Sequence, residues 1–153
     1  MREEHALGTR CRMSEMVEKW GKEVAERGFS QVPNYLLLFN NFTSKEDSLS
    51  PLELLILIQL CGMWWKKDDS PYPSMRTLAD RCGTSERQVA RAVKRLEEID
   101  LIRREKRRAK GLIASNSYSL APLVEMLEEV ARKYPNEFPR KVARLSKKDP
   151  APS

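Results

Sequence analysis

The sequence predicts a mainly α protein that also contains one small β-hairpin. Apolar residues recur at helical spacing along most of the chain, and only residues 102–120 are predicted as a hairpin, with a turn at Lys110–Gly111. Charged residues make up 33% and apolar residues 41% of the 153 residues, which is typical of a globular protein. This length suits one domain with appendages.

The N-terminal helix is predicted from Cys11 to Arg27, and Gly28 ends it. Residues 1–9 have no clear pattern and are expected to fray. Val32 is expected to be extended because Pro33 follows it. Residues 34–39 form a short apolar stretch that is predicted to pack on the core.

A strong start signal precedes the next helix. Ser50 can act as N-cap, Pro51 suits the first helical position, and Glu53 completes a capping box. The helix body, from Leu52 to about Lys66, is apolar nearly all round, so we expect it at the centre of the core. The last helix is predicted to cover residues 121–134.

Two shorter predicted helices, Ser74–Cys82 and Ser85–Ile99, are joined by a tight turn. A steep crossing of this kind imposes three local requirements. Ala79 is the small residue at the crossing, Gly83 accepts the left-handed turn conformation, and Val89 packs back on the first helix. Further apolar contacts at helical spacing are supplied by Leu78, Cys82, Ala92, Val93 and Leu96.

Both helices carry start signals. Ser74 can cap the first and Ser85 the second, and Gln88 can close a capping box with Ser85. With these features the chain resembles the winged helix-turn-helix superfamily, with additional N- and C-terminal helices. The hairpin and its returning strand, SNSYSL, correspond to the wing. The element order over 29–120 is most similar to that in phage and plasmid replication proteins, and bacterial transcriptional regulators share the core more loosely.

Positive charge is concentrated in this part of the chain. There are 28 Lys and Arg against 22 Asp and Glu, a net charge of +6. Twelve of these basic residues and six of the acidic ones lie between Ser74 and Leu112, so this segment contains the whole excess. A positive field confined to one segment indicates a polyanionic partner. The resemblance implies that this partner is double-stranded DNA.

The resemblance also implies that the second helix lies in the major groove with its N-terminal half against base edges. Arginine suits bidentate contact with guanine, and glutamine suits adenine. Base readout is therefore predicted for Ser85, Arg87, Gln88 and Arg91. Phosphate contacts, which would make affinity fall steeply with salt, are predicted for Arg76, Thr84, Lys94, Arg95, Arg103, Arg104, Lys106, Arg107, Arg108 and Lys110.

Other chemistry is poorly represented. The one histidine is His5, and neither a phosphate-binding glycine loop nor an HExxH motif occurs, so we expect no enzyme activity. The three cysteines are odd in number and widely spaced, which argues against disulfides and a zinc site: Cys11, Cys61 and Cys82. No cofactor is expected. Neither a signal peptide nor a membrane span is indicated, and we expect a cytoplasmic protein.

Apolar stripes on the two terminal helices have two interpretations. The Met13/Met16/Trp20 stripe and the Leu123/Leu127/Val130 stripe can belong to the core. Alternatively they form a homodimer interface, because proteins that bind two half-sites commonly pair through helices outside the DNA-reading region. Trp64 and Trp65 are more consistent with core packing than with an aromatic stacking site.

The chain is therefore predicted to comprise an N-terminal helical extension (1–28), a winged helix-turn-helix DNA-binding domain (29–120), a C-terminal helix (121–134) and a flexible, basic, proline-containing tail (135–153). Three functions remain open: a transcriptional regulator, a replication-initiation protein of a phage or plasmid, and a winged helix used for protein contacts. The absence of an ATPase, primase or nuclease segment favours the regulator. The basic outer face of the second helix argues against the protein-contact function.

Overall fold

The computed structural model describes residues 3–113 and 116–138. For residues 3–11, 108–109 and 112–113 it describes the backbone only. The helices, α1 to α7, are Glu3–Trp20, Lys22–Ala25, Asn34–Leu37, Pro51–Met63, Met75–Cys82, Glu86–Glu98 and Ala121–Lys133, and a 3-10 turn covers Phe39–Asn41. The strands, β1 to β4, are Arg103–Glu105, Arg108–Ala109, Leu112–Ile113 and Ser117–Ser119. The mainly α fold with one hairpin is confirmed.

The core is built around α4, as its nearly continuous apolar sequence predicts. Ile56, Leu57 and Leu60 have no solvent exposure, and both α5 and α6 pack against this helix. From α6 the buried side chains come at helical spacing, so one face of that helix is fixed to the core: Val89, Ala92, Val93 and Leu96. The orientation of the α6 surface is therefore determined by apolar packing.

Helix α4 begins with the predicted capping box. The Ser50 hydroxyl accepts a hydrogen bond from the Glu53 amide at 3.2 Å, and the Glu53 carboxylate accepts one from the Ser50 amide at 3.1 Å. The helix ends at Met63 rather than near Lys66, because Trp64 turns to an extended conformation with φ −95° and ψ 96°. The Trp64 indole N–H then donates to the Lys67 carbonyl at 3.3 Å.

The N-terminal helix differs from its prediction in two ways. Its helical backbone begins at Glu3, and Gly21, with φ 83° and ψ 154°, separates it from α2. The apolar stripe does not enter the core: the side chains of Met13, Met16, Trp20 and Val24 are 36–54% exposed. Helical periodicity identifies an apolar face, but it does not show that another element covers that face.

The C-terminal helix, by contrast, packs on its own domain. Leu123, Leu127 and Val130 are buried, and α7 lies against α3. The Tyr35 hydroxyl donates to the Tyr134 carbonyl at 2.6 Å, and the Phe138 ring meets the Tyr35 ring edge-on at 4.9 Å. The packed segment therefore continues four residues beyond the predicted end of the helix, and the rest of the predicted tail, 139–153, lies outside the described residues.

Three further predictions concern residues near the end of α4. Trp64 is partly buried against the core, as expected, whereas the core prediction is wrong for Trp65, whose exposure is 80%. Cys61 is buried, and this burial raises the pKa of its thiol to about 11. That thiol is therefore protonated and unreactive at neutral pH.

Candidate nucleic-acid interface

The turn between α5 and α6 has the geometry that the sequence predicts. Gly83 adopts the left-handed conformation with φ 66° and ψ 38°. Its amide and the Thr84 amide both donate to the Ala79 carbonyl, the latter at 3.0 Å, which closes the end of α5. Ala79 and Val89 are both buried where the two helices cross. The three local requirements of the crossing are met by the predicted residues.

Helix α6 presents a polar face opposite its buried face. Arg87, Gln88, Arg91 and Lys94 are exposed along this side. Lys94 lies 3.9 Å from Glu98, but both side chains are well exposed, so water screens the pair and the ammonium group can turn elsewhere. The structure thus brings three of the four residues predicted for base readout to one surface near the start of α6.

Hydrogen bonding at the start of α6 confirms the predicted cap but not the predicted capping box. The Ser85 hydroxyl accepts from the Gln88 amide at 3.2 Å. The Gln88 side chain does not return to Ser85; its carbonyl oxygen accepts from the Thr84 hydroxyl at 2.6 Å instead. Thr84 therefore orients the Gln88 side-chain amide, whose NH₂ group is left to donate outward. The Ser85 hydroxyl therefore serves as the N-cap of α6.

Arg95 is half-buried, and its guanidinium is bound by two groups of the protein itself. Its guanidinium donates to the Glu53 carboxylate at 2.6 Å and to the Glu46 carbonyl at 2.7 Å. The Glu53 side chain is only 7% exposed, and a buried carboxylate needs such a partner. The sequence predicts a phosphate contact for Arg95, and the structure places its guanidinium in this ion pair, which fastens α6 to the start of α4.

A shallow cavity of about 270 Å³ lies beside this ion pair. Gln88 and Arg91 form one wall of it, and Ser50 and Leu52 at the start of α4 form part of the other. The ion pair between Arg95 and Glu53 also lines it. The surface around the start of α6 is therefore concave, and the two side chains project beside a rigid, capped helix end.

The predicted wing is present. Strand β1 pairs antiparallel with β4, and β2 pairs with β3. At the tip, Lys110 and Gly111 both have positive φ, 51° and 78°, which is the two-residue turn whose twist suits a hairpin. The Tyr118 amide donates to the Pro71 carbonyl at 2.8 Å and so ties the base of the wing to the segment before α5.

The cations of the wing fall into groups with different surroundings. Arg103, Lys106 and Lys110 are exposed. Arg104 forms a two-point ion pair with Glu97, with N–O distances of 3.0 and 3.2 Å, and so fixes the base of the wing to α6. The Arg107 guanidinium lies over the ring of Tyr72. Arg108 is also a predicted phosphate contact, but its side chain is not among those that the structure describes.

Uncompensated positive charge is present on each part of the predicted interface. In α5, α6 and the wing, six exposed cations form no ion pair or side-chain hydrogen bond with any residue whose side chain the structure describes: Arg76, Arg87, Arg91, Arg103, Lys106 and Lys110. They come from the first turn of α5, the outer face of α6 and the wing. A polyanion can neutralise these groups without first breaking an internal ion pair.

Sequence reasoning missed two contributors to this region, Glu53 and Tyr72. Each is joined to a predicted cation by a contact between residues far apart in the chain. Only the cap at Glu53 left a local signal, and that signal concerns helix initiation. No short-range pattern predicts either partner.

Neither a metal site nor a membrane span occurs in the part of the chain that the structure describes. No group of three or more His, Cys, Asp or Glu side chains there is placed to hold a metal ion. No helix in that same part of the chain is long and apolar enough to cross a membrane.

Comparison with family models gives a match over the middle of the chain. Residues 47–102 match the model of a family described as a helix-turn-helix domain. The match begins just before the cap of α4 and ends at Ile102, immediately before β1, so it includes α4, α5 and α6. No curated protein matches the chain.

Proposed function

Because residues 47–102 match the model of a helix-turn-helix domain family, we propose that this protein is a sequence-specific binder of double-stranded DNA and not an enzyme. In this proposal α6 enters the major groove and the wing lies along the adjacent backbone. The observation that carries it is the outer face of α6, where Arg87, Gln88 and Arg91 are exposed beside one another while the opposite face is fixed in the core.

This charged face favours DNA over a protein partner. The centres of protein–protein interfaces are enriched in aromatic residues and methionine as well as in arginine. The outer face of α6 has arginine but no aromatic residue or methionine, and Arg87 and Arg91 on it are four residues apart. Like charges at that spacing destabilise an isolated helix slightly, and a nearby polyanion removes this repulsion. The protein-contact function is therefore the weakest of the three.

The contacts divide by position on this surface. We assign base readout to Arg87, Gln88 and Arg91, together with Ser85 at the N-cap of α6. Phosphate contacts are assigned to Lys94 and the exposed cations outside α6, which are Arg76, Arg103, Lys106 and Lys110. The sequence also predicts a phosphate contact for Thr84, but its hydroxyl donates to Gln88 and its amide to Ala79, so its role is to orient Gln88. Arg95 and Arg104 act through their ion pairs as supports that hold α6 and the wing in place.

The process served is proposed to be transcription, with replication initiation of a phage or plasmid as the alternative. Selection from a library of random duplexes, followed by sequencing of protein-bound genomic fragments, tests both levels. We expect one enriched motif that occurs in promoters. A motif repeated at a replication origin would favour the alternative. Sequence-specific binding would be refuted if no motif were enriched and if the protein bound duplexes no better than it binds the polyanion heparin.

We further propose that two copies pair through α1. The apolar stripe of α7 is buried in its own domain, which leaves the exposed stripe of α1 for the homodimer that two half-sites require. Light scattering should show a dimer that the double variant Met16→Glu, Trp20→Glu converts to a monomer. Val124→Glu, at an exposed apolar position of α7, is the control and should remain dimeric. A monomeric wild-type protein at micromolar concentrations would contradict this proposal.

A further inference from the structure

Tyr72 lies where three parts of the domain meet. It is two residues before Ser74, the cap of α5, and its side chain is 51% exposed. The Arg107 guanidinium of the wing lies over its ring, 3.6 Å from the ring centroid. This distance is that of a close cation–π contact. Unlike its wing neighbours Arg103 and Lys106, Arg107 is half-buried.

The contact occurs at an interruption in the wing. The β1–β4 ladder ends at the Glu105–Ser117 pair, and the β2–β3 ladder begins at the Arg108–Ile113 pair. Two residues separate the ladders on one side and three on the other, so the register shifts by one. Lys106 and Arg107 lie outside both ladders, so a contact at Arg107 can help to fix the direction of the outer hairpin.

Tyr72 is itself well anchored. Pro71 and Pro73 flank it and restrict its backbone. The Pro71 carbonyl accepts the hydrogen bond from Tyr118 in β4, and the Ser74 hydroxyl caps α5 by accepting from the Thr77 amide at 3.0 Å. The backbone that carries the Tyr72 ring therefore has a fixed position relative to α5 and to the base of the wing.

We infer that Tyr72 is a positioning residue, which holds the outer half of the wing through Arg107 so that Lys106 and Lys110 approach the same duplex as α6. This inference rests on the proposed function. A wing that is already oriented loses less conformational freedom on binding, and its cations reach phosphates without rearrangement. Tyr72 acts on affinity through the wing and leaves base readout by α6 unchanged.

The test compares Tyr72→Ala with Tyr72→Phe, which keeps the ring. Tyr72→Ala should weaken binding to any duplex about two- to fivefold, the range of a surface cation–π contact, and make the salt dependence shallower. The ratio of affinities for preferred and mismatched duplexes should stay unchanged. Tyr72→Phe keeps the ring that Arg107 covers and should therefore bind more tightly than Tyr72→Ala. Thermal melting verifies that both variants are folded.

A second measurement on the free protein separates this inference from the proposed function. Backbone ¹⁵N relaxation should show lower order at Lys110 and Gly111 in Tyr72→Ala and a smaller loss of order in Tyr72→Phe. Loss of wing order in a protein whose wild type binds no duplex would uphold the positioning role and refute DNA binding. Unchanged wing order in Tyr72→Ala, or an equal loss in Tyr72→Phe, would overturn the inference.

Discussion

Replacement of Arg91 by alanine is expected to weaken binding to the preferred duplex by about 1–3 kcal/mol and to affect unrelated duplexes much less. Arg91 is exposed, forms no ion pair with a described side chain, and lies beside Gln88 in the cavity next to the start of α4. Its guanidinium can therefore approach a base edge without breaking an internal contact. A bidentate contact with guanine has this magnitude.

The stability of the free protein should not fall in this variant. Arg87 and Arg91 are like charges one helical turn apart, so removal of one relieves a repulsion of about 0.2–0.5 kcal/mol. Fluorescence anisotropy with the preferred duplex and a scrambled duplex at fixed salt measures the loss of discrimination. Thermal melting in the same buffer then shows that the loss does not result from unfolding.

Two matched variants distinguish base readout from simple attraction. Arg91→Lys keeps the positive charge but lacks the planar group for bidentate contact, so it should bind the scrambled duplex normally and lose discrimination. Lys94→Ala removes a predicted phosphate contact further along α6, and it should weaken both duplexes to the same extent. If Arg91→Ala also weakens both duplexes equally, Arg91 contacts phosphate and the assignment to base readout is wrong.

Local chemistry explains which features the sequence could predict. The caps at Ser50, Ser74 and Ser85 and the left-handed Gly83 are properties of a few consecutive residues, and all four occur as predicted. The inward and outward faces of α6 follow from its helical period alone. These signals determine the helix-turn-helix and the surface that it exposes.

Contacts between distant residues explain what the sequence could not predict. Arg95 and Glu53 are 42 positions apart, and nothing in either local segment distinguishes Arg95 from the exposed Arg91. The preference of Gln88 for Thr84 over Ser85 depends on side-chain rotamers within one turn. The exposed stripe of α1 shows the same limit, because amphipathicity does not reveal whether a partner surface exists.

The second large effect is expected at the wing, where the double variant Lys106→Ala, Lys110→Ala removes two exposed cations near the tip. Each lost phosphate contact should make the slope of log K against log salt shallower by about 0.9, or about 1.8 for the pair. Affinity for any duplex near 0.1 M salt should then fall on the order of 10- to 100-fold, because fewer counterions are released.

A charge-matched control separates local contacts from net charge. Arg132→Ala, Lys133→Ala also removes two positive charges, but from the last turn of α7, where each is paired with a glutamate four residues earlier. This control should change the salt slope little, since α7 carries none of the assigned contacts. Salt titrations of both variants on preferred and scrambled duplexes make the comparison. Equal effects of the two double variants would mean that the wing attracts DNA only through the net charge of the protein, whereas a selective loss at Lys106 and Lys110 locates phosphates along the outer hairpin.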